Sequence, residues 1–410
     1  MPLKRVVITG RGAVSPFGQG VPALVDGVWD GACGTREMPE WQGIAGLKSH
    51  LAAPVPPLNA KKVLPRSMRR TMGDMALYTA LAAQEAIAEG GLSEDLLTSG
   101  QTGVAVGSTT GSPAAYESFY RHFLPEESIE EIRSGLFFKI MGHSCAANLC
   151  LSLGIRGEQW APVSACTSAA QAIGLGYLLI QTGRQEAMLC GGAEETHSTV
   201  TMVFDVLKAA SRRQDEPLAT PRPFDRDRDG VVCGAGSGIL LLESLDSALA
   251  RGAPIQAELL GFGHITDSAH IANPHQRSMA QAMEQALAQA GVSVPEVDYV
   301  NAHATGTTQG DAAEGQAIGS VFGPEVPVSS FKGHLGHTLG AAGALETIIL
   351  LEMLARQEVV PTLHLDNPDP TFSGLNLVRS SGKNVLNTVV KNNFALGGVN
   401  TSLVLRRWKR

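Results

Sequence analysis

At 410 residues the chain exceeds the size at which one hydrophobic core stops growing, so two domains or two similar halves are expected. Hydrophobic residues make up 44% and charged residues 17%, which excludes a disordered chain and implies large buried elements. A net charge of -7 counts against nucleic acid as a partner, and six cysteines without a C-x-x-C pair point to free thiols in a reducing cytosol.

Val6–Thr9 reads as a buried strand that ends at Gly10-Arg11-Gly12. A dinucleotide fingerprint needs a third glycine where Ser15 stands, so nucleotide binding is not expected. The amino-terminal stretch has too few apolar residues for a signal-peptide core. No apolar run approaches the roughly 20 residues that span a bilayer. Residues 52–66 are Pro-rich and predict a surface segment; a helix over 68–92 follows, stopped by Gly90-Gly91. Val104–Gly107 predicts a strand with a polar turn after it, and 112–150 reads as a helical insertion covering the core. The apolar run Trp160–Ala165 then reaches Cys166, and a long Ala/Gly/Leu-rich helix follows without proline. A thiol at a helix start feels the unpaired N–H groups and positive end of the helix, which favour thiolate. A buried structural cysteine fits the same residue taken alone. Gly238–Leu242 predicts the last strand of this half.

The second half repeats the first. The helix ending in Met283–Val292 echoes the one ending at Gly91. Val297–Val300 leads into a small-residue turn holding His303, as Val104–Gly107 leads into its own. Pro327–Phe331 then leads through Lys332 to His337 and a second Ala/Gly/Leu-rich helix, which places His337 as the counterpart of Cys166. Duplicated strands and helices imply an α/β fold with layers and helices buried between sheets; two similar helices by composition alone is the competing reading. The division expected is residues 1–250, with the cap insertion and the cysteine, and residues 251–410, with the two histidines.

Four motifs in order carry a resemblance: SACTSA around Cys166, NAHATGT around His303, KGHLGHTLGAAGALE around Lys332 and His337, and NNFALGGVN near the end. The chain resembles the elongating β-ketoacyl-acyl-carrier-protein synthases, condensing enzymes of the thiolase fold, over nearly its whole length. The resemblance implies a Cys-His-His site of Cys166, His303 and His337. Cys166 would take an acyl chain, and the two imidazoles would stabilise the enolate left when malonyl thioester loses carbon dioxide. Lys332 would hold the site's charge, with Glu314 and Glu346 behind it. The N–H groups of Cys166 and Leu396 would form the oxyanion hole, with Phe394 and Leu396 gating the acyl pocket. No resident cofactor and no metal are implied; phosphopantetheine would arrive on the acyl carrier protein, the expected partner, and the enzyme would be a cytoplasmic dimer of identical or related subunits. His334 and His337 stand at metal-ligand spacing, but no third ligand accompanies them. His334 stands where the family usually has an apolar residue.

A basic group, Lys61, Lys62, Arg66, Arg69 and Arg70 with Lys208, Arg212 and Arg213, stands out from the acidic average. A solvated face is one reading; the resemblance makes it the docking site of the acidic carrier. One departure concerns the gate, where the family commonly has F-G-F-G-G and this chain has Phe394-Ala395-Leu396-Gly397-Gly398. A stiffer Ala hinge and a smaller gate leave room for polyene or polyketide synthesis beside fatty-acid elongation. A silent chain-length-setting subunit would usually lack the cysteine. A CoA-dependent thiolase would carry a second one in the C-terminal loop.

Overall fold

β1 spans Val6–Ser15 and runs straight through the glycines at which the sequence suggested an end. Nine of its ten residues are buried, so both faces of the strand are covered. The computed structural model describes residues 3–59, 64–125, 127–130 and 132–409. The expected helix over 68–92 is two helices, Arg66–Arg69 and α1 (Asp74–Gly90), because Gly73 takes an extended conformation between them. Gly91 closes α1 in the left-handed region at φ 62°. The Pro-rich stretch is not simply surface: Leu51–Ala53 is a buried strand, and Pro54 and Val55 are buried after it.

β2 (Thr102–Gly107) pairs in parallel with Gln159–Trp160, and of the 160–165 run only Trp160 forms strand. Between them lie the expected cap helices, Pro113–Phe123, Ser134–Ile140 and Ser144–Leu153. α2 (Ser168–Gln181), β3 (Ala187–Glu194) and β4 (Gly236–Ser244) complete the first half. The second half comprises β5 (Ala257–Thr266), α3 (Gln276–Ala290), β6 (Tyr299–Asn301), α4 (Thr308–Phe322), β7 (Pro327–Ser329), α5 (Ala342–Arg356), β8 (Thr388–Phe394) and β9 (Val399–Arg407).

Strand order makes the duplication explicit. The first half runs β1-β4-β3-β2-(159–160) and the second β5-β9-β8-β6-β7, the same 1-5-4-2-3 order in each. Antiparallel pairing of Val6 with Leu259 and Ile8 with Ala257 joins the two halves into one sheet. The G-x-G in β1 has its explanation here. A Cβ on Gly12 would stand 1.8 Å from the Ala82 carbonyl of α1, and one on Gly263 in β5 would stand 1.8 Å from the Ala282 carbonyl of α3. Each pair of glycines lets a helix lie directly on its strand, so the motif serves packing and not a nucleotide.

α2 and α5 touch each other and strands of both halves. Twelve of the fifteen residues of α5 are buried, the pattern of a helix enclosed on all sides. Small residues permit it: a Cβ on Gly343 would meet the Ala170 nitrogen at 2.6 Å. Both helices begin inside the molecule, and the turns that start them carry the chemistry. Among the described residues, no single helix is long and apolar enough to cross a membrane.

Candidate active site

Cys166 lies in a 3-10 turn, Ala165–Thr167, that leads directly into α2. Ala165 is held at φ 48°, a left-handed conformation that costs a non-glycine residue about 1–2 kcal/mol. Hydrogen bonds fix the turn around it. The Ser168 hydroxyl donates to the Ala165 carbonyl at 2.7 Å and accepts from the Ser164 N–H at 3.0 Å. The Thr167 hydroxyl donates to the Ser164 carbonyl at 2.8 Å. The second unit has the matching turn, Leu339–Ala341, with Leu339 at φ 43° before α5. The counterpart of Cys166 is therefore Gly340, and His337 lies three residues earlier, a correction to the placement drawn from sequence.

The fold nevertheless brings the expected three side chains together. The sulfur of Cys166 and one nitrogen each of His303 and His337 lie within 4.8 Å of one another, all buried. The two rings meet edge to face, centroids 5.0 Å apart at 81°, and Phe394 packs edge-on to His303 at 6.2 Å. His337 is fixed through its backbone: its N–H donates to Val232 O and its carbonyl accepts from the Gly234 N–H, each at 2.7 Å. The Leu339 N–H donates to His337 Nδ1 at 3.3 Å, so the proton of the neutral ring sits on Nε2. Nε2 has no partner among the described residues, although buried, as befits a donor kept for a ligand. Burial and the nearby Lys332 ammonium hold both imidazoles well below the usual histidine range, so both stay neutral at physiological pH.

Burial pushes the Cys166 thiol up to about 12, against the pull of Lys332 and of the Cys166 and Leu396 N–H groups; Glu194 adds to the rise. The helix start alone does not give the resting thiolate that the sequence suggested, because burial outweighs it. The Leu396 N–H faces the sulfur beside that of Cys166, which is the arrangement an oxyanion hole needs. Leu396 belongs to a loop tied to the 267–271 segment: Gly397 N–H donates to Ile271 O and Asp267 N–H to Gly398 O, both at 2.7 Å.

Behind the histidines lies a buried charge cluster. Glu314, on α4, accepts from the His303 N–H at 2.7 Å and the Ala304 N–H at 2.6 Å, which shapes the His303 turn. Burial lifts its carboxyl to about 7. Glu346, on α5, takes the Lys332 ammonium on Oε1, with Lys391 at 2.6 Å from Oε2. Burial raises the Glu346 carboxyl, but the two ammonium groups outweigh it and hold it below its ordinary value. Lys391 was missed in the sequence, although it is the one charged residue in the strand run Thr388–Phe394. Glu194, also unforeseen, accepts from Thr109 at 2.7 Å and is lifted by burial to about 7.

A cavity of about 460 Å³ opens onto Cys166, His303, His337, Phe394 and Leu396, with Thr305, Thr307 and Lys208 on its wall. His334 takes no part: its ring is buried between the carbonyls of Ala32 (3.1 Å) and Pro361 (3.4 Å). The soft donor set that could hold a metal is instead Cys166, His303 and His337 themselves. Of the basic residues, Arg66, Arg70 and Lys208 are exposed, and Arg69 is half-buried with its Nε on the Leu64 carbonyl at 2.9 Å. Arg212 is not a free docking cation, because Asp205 holds its guanidinium at 3.0 Å. Lys61 and Lys62 lie outside the described residues.

The chain is similar to known proteins over nearly its whole length. Residues 3–248 match the N-terminal domain of the beta-ketoacyl synthase family, and residues 256–366 its C-terminal domain. The chain is 35% identical to 3-oxoacyl-[acyl-carrier-protein] synthase 1 of Haemophilus influenzae, over 99% of this chain and 100% of that one. It is 34% identical to the corresponding synthase 1 of Escherichia coli, with the same coverage. A crystal structure of a beta-ketoacyl synthase from Burkholderia phymatum superposes with TM-score 0.96 at 41% identity, covering 99% of this chain and 100% of that chain. The ishigamide ketosynthase/chain length factor superposes at TM-score 0.92 and 31% identity, with the same coverage.

Proposed function

The chain belongs to the beta-ketoacyl synthase family, and on that premise we propose how its residues carry out a decarboxylative condensation with malonyl-acyl-carrier protein. Cys166 Sγ attacks an acyl-carrier thioester, and its proton leaves on the departing pantetheine thiol. The N–H groups of Cys166 and Leu396 hold the oxyanion of the tetrahedral intermediate. Malonyl-carrier then loses carbon dioxide, and His337 Nε2–H, with His303 beside it, stabilises the enolate oxygen. The enolate carbon attacks the acyl carbonyl, the Cys166 sulfur leaves as thiolate and regains a proton from solvent, and a β-ketoacyl-carrier is released. The observation that carries this reading is the orphaned His337 donor within reach of the Cys166 sulfur at the base of a cavity.

The phosphopantetheine belongs to the carrier, whose arm would pass the Thr305 and Thr307 hydroxyls to reach Cys166. Exposed Arg66 and Lys208 suit docking of an acidic carrier, and six free cysteines suit the cytoplasm. The end strand Gln159–Trp160, with exposed Trp160, Val163 and Leu151 around it, is the surface on which a second subunit, identical or related, would pack. The presence of Cys166 favours a catalytic subunit over a silent chain-length partner. Mass spectrometry after mixing with acyl-carriers of varied length, then malonyl-carrier, tests the reading: Cys166 should gain each accepted acyl group and lose it on condensation. Acylation that persists in Cys166→Ala would sink it.

A further inference from the structure

Lys391 is a buried cation that the condensation steps above leave unused. It is the fourth residue of β8, and its register partner on β6 is Asn301, two residues before His303. The side chain is fully buried. Nζ lies 2.6 Å from Glu346 Oε2, donates to the Asn392 carbonyl at 2.6 Å and to Asn393 Oδ1 at 2.9 Å. Three oxygens for three N–H groups is the environment of an ammonium, since a neutral amine has only two protons to give.

Pairing does not account for it. Glu346 is already held by Lys332, so Lys391 leaves two ammonium groups on one carboxylate and a net charge of one positive. The nearby carboxylate that could cancel it, Glu314, is lifted by burial towards its neutral form. A lone buried charge is costly, and the neighbouring strand residues Val389 and Val390 show that β8 accepts apolar side chains in its interior. The surplus charge faces the two imidazoles, both of which it pushes further towards the neutral form.

We propose that Lys391 is a positioning residue for the decarboxylation half of the reaction. Shared with Lys332 on Glu346, its ammonium supplies the positive potential behind His303 and His337 that draws in the malonyl carboxylate and then holds the enolate. Lys332, by contrast, also acts on Cys166, whereas the Lys391 ammonium is engaged by Glu346, Asn392 and Asn393. The proposal assigns Lys391 to that one half-reaction, and it rests on the condensation reading above.

The test measures both half-reactions in the full-length protein with Lys391→Met and Lys391→Gln, the second keeping a donor for Asn392 and Asn393. Acyl transfer to Cys166, followed by mass spectrometry, should stay within about twofold of wild type, which also shows that the variants fold. Carbon dioxide release from malonyl-carrier should fall about tenfold or more, as expected for losing one preorganised charge near the enolate. A pH profile adds a readout that a packing role would not move. Burial lowers the Lys391 ammonium to about 8 while Glu346 opposes and Lys332 assists; Glu314, His303 and His337 are the other titratable groups that face it. Wild-type carbon dioxide release should therefore decline as pH rises through about 8, and both variants should lack that limb. Variants that release carbon dioxide at the wild-type rate, or that lose both half-reactions in proportion, overturn the proposal. A wild-type protein that acylates but releases no carbon dioxide defeats the condensation reading and this inference with it.

Discussion

His337→Ala removes the donor on which enolate stabilisation depends, and its cost can be worked from the structure. The lost Nε2–H is buried and without a protein partner, so its full strength is available to the enolate oxygen. One preorganised donor of this kind is worth about 2.7–4 kcal/mol, or about 10²–10³ in rate. Folding suffers less. The Leu339 N–H loses its acceptor at about 1–3 kcal/mol, and the edge contact with His303 contributes about 0.5–1.5 kcal/mol more. In a chain of 410 residues each kcal/mol shifts the melting temperature by only ~1 °C, so the variant should remain folded. Acyl transfer to Cys166 uses the Cys166 and Leu396 N–H groups and should be nearly spared. Labelled carbon dioxide release from malonyl-carrier, measured beside acylation by mass spectrometry, separates the two. Release within tenfold of wild type, or acylation falling by the same factor, would refute the assignment of His337.

Resting Cys166 should behave as a deeply buried thiol. With the thiol raised to about 12, its thiolate fraction at pH 8 is roughly 10⁻⁴, and iodoacetamide labelling should climb through pH 10 without a plateau; a plateau near pH 7 would contradict it. Charge reversal at Arg66 and Lys208 should raise the KM for the carrier and weaken its dependence on salt, whereas Arg212→Ala, already neutralised by Asp205, should change little. Equal effects at all three positions would argue against the docking assignment. Free zinc should inhibit by bridging Cys166, His303 and His337, while a chelator should leave the condensation rate unchanged. Loss of activity on chelation would point to a resident metal.

What the sequence revealed follows from how local each signal is. Gly91 and Gly291 end α1 and α3 because a left-handed cap favours glycine, a requirement of a single residue. The four motifs around Cys166, His303, Lys332 and the C-terminal loop are likewise contiguous. Features that depend on contacts between distant segments were not visible. The break at Gly73 interrupts a run whose apolar periodicity continues across it. Gly10 and Gly12 fail a dinucleotide fingerprint at Ser15, but what they do serve shows only once the Ala82 and Ala86 carbonyls of α1 appear against them. The freedom of Arg212 depends on where Asp205 falls, and the resting state of Cys166 depends on a burial that no local pattern encodes. Lys391 escaped for a related reason: a single lysine in a strand reads as an edge residue until Glu346 is found beneath it.

The duplication explains why one site, and not two, emerged. Both halves make the same device, a 3-10 turn with a left-handed residue, Ala165 or Leu339, delivering a buried helix. At the second position of each turn the halves diverge. In the first, Cys166 has room to point into the cavity. In the second, a Cβ on Gly340 would meet the Ala193 carbonyl and Ser108 Cα at 2.8 Å, so no side chain fits. The Gly340 N–H is moreover engaged by Glu194 at 3.2 Å, whereas the Cys166 N–H is left to face its own sulfur. The second turn thus gives up the nucleophile position and contributes from three residues upstream, where the backbone pairing of His337 with Val232 and Gly234 aims the ring at the first turn. Substituting Gly340 by Ala should therefore disrupt Ser108 and Ala193, which lie beside the Cys166 turn through the Ser168 bond to Ser108. On this geometry the two halves cannot exchange roles, because Ala193 and Ser108 exclude a nucleophile from the second turn while Val232 and Gly234 aim His337 at the first.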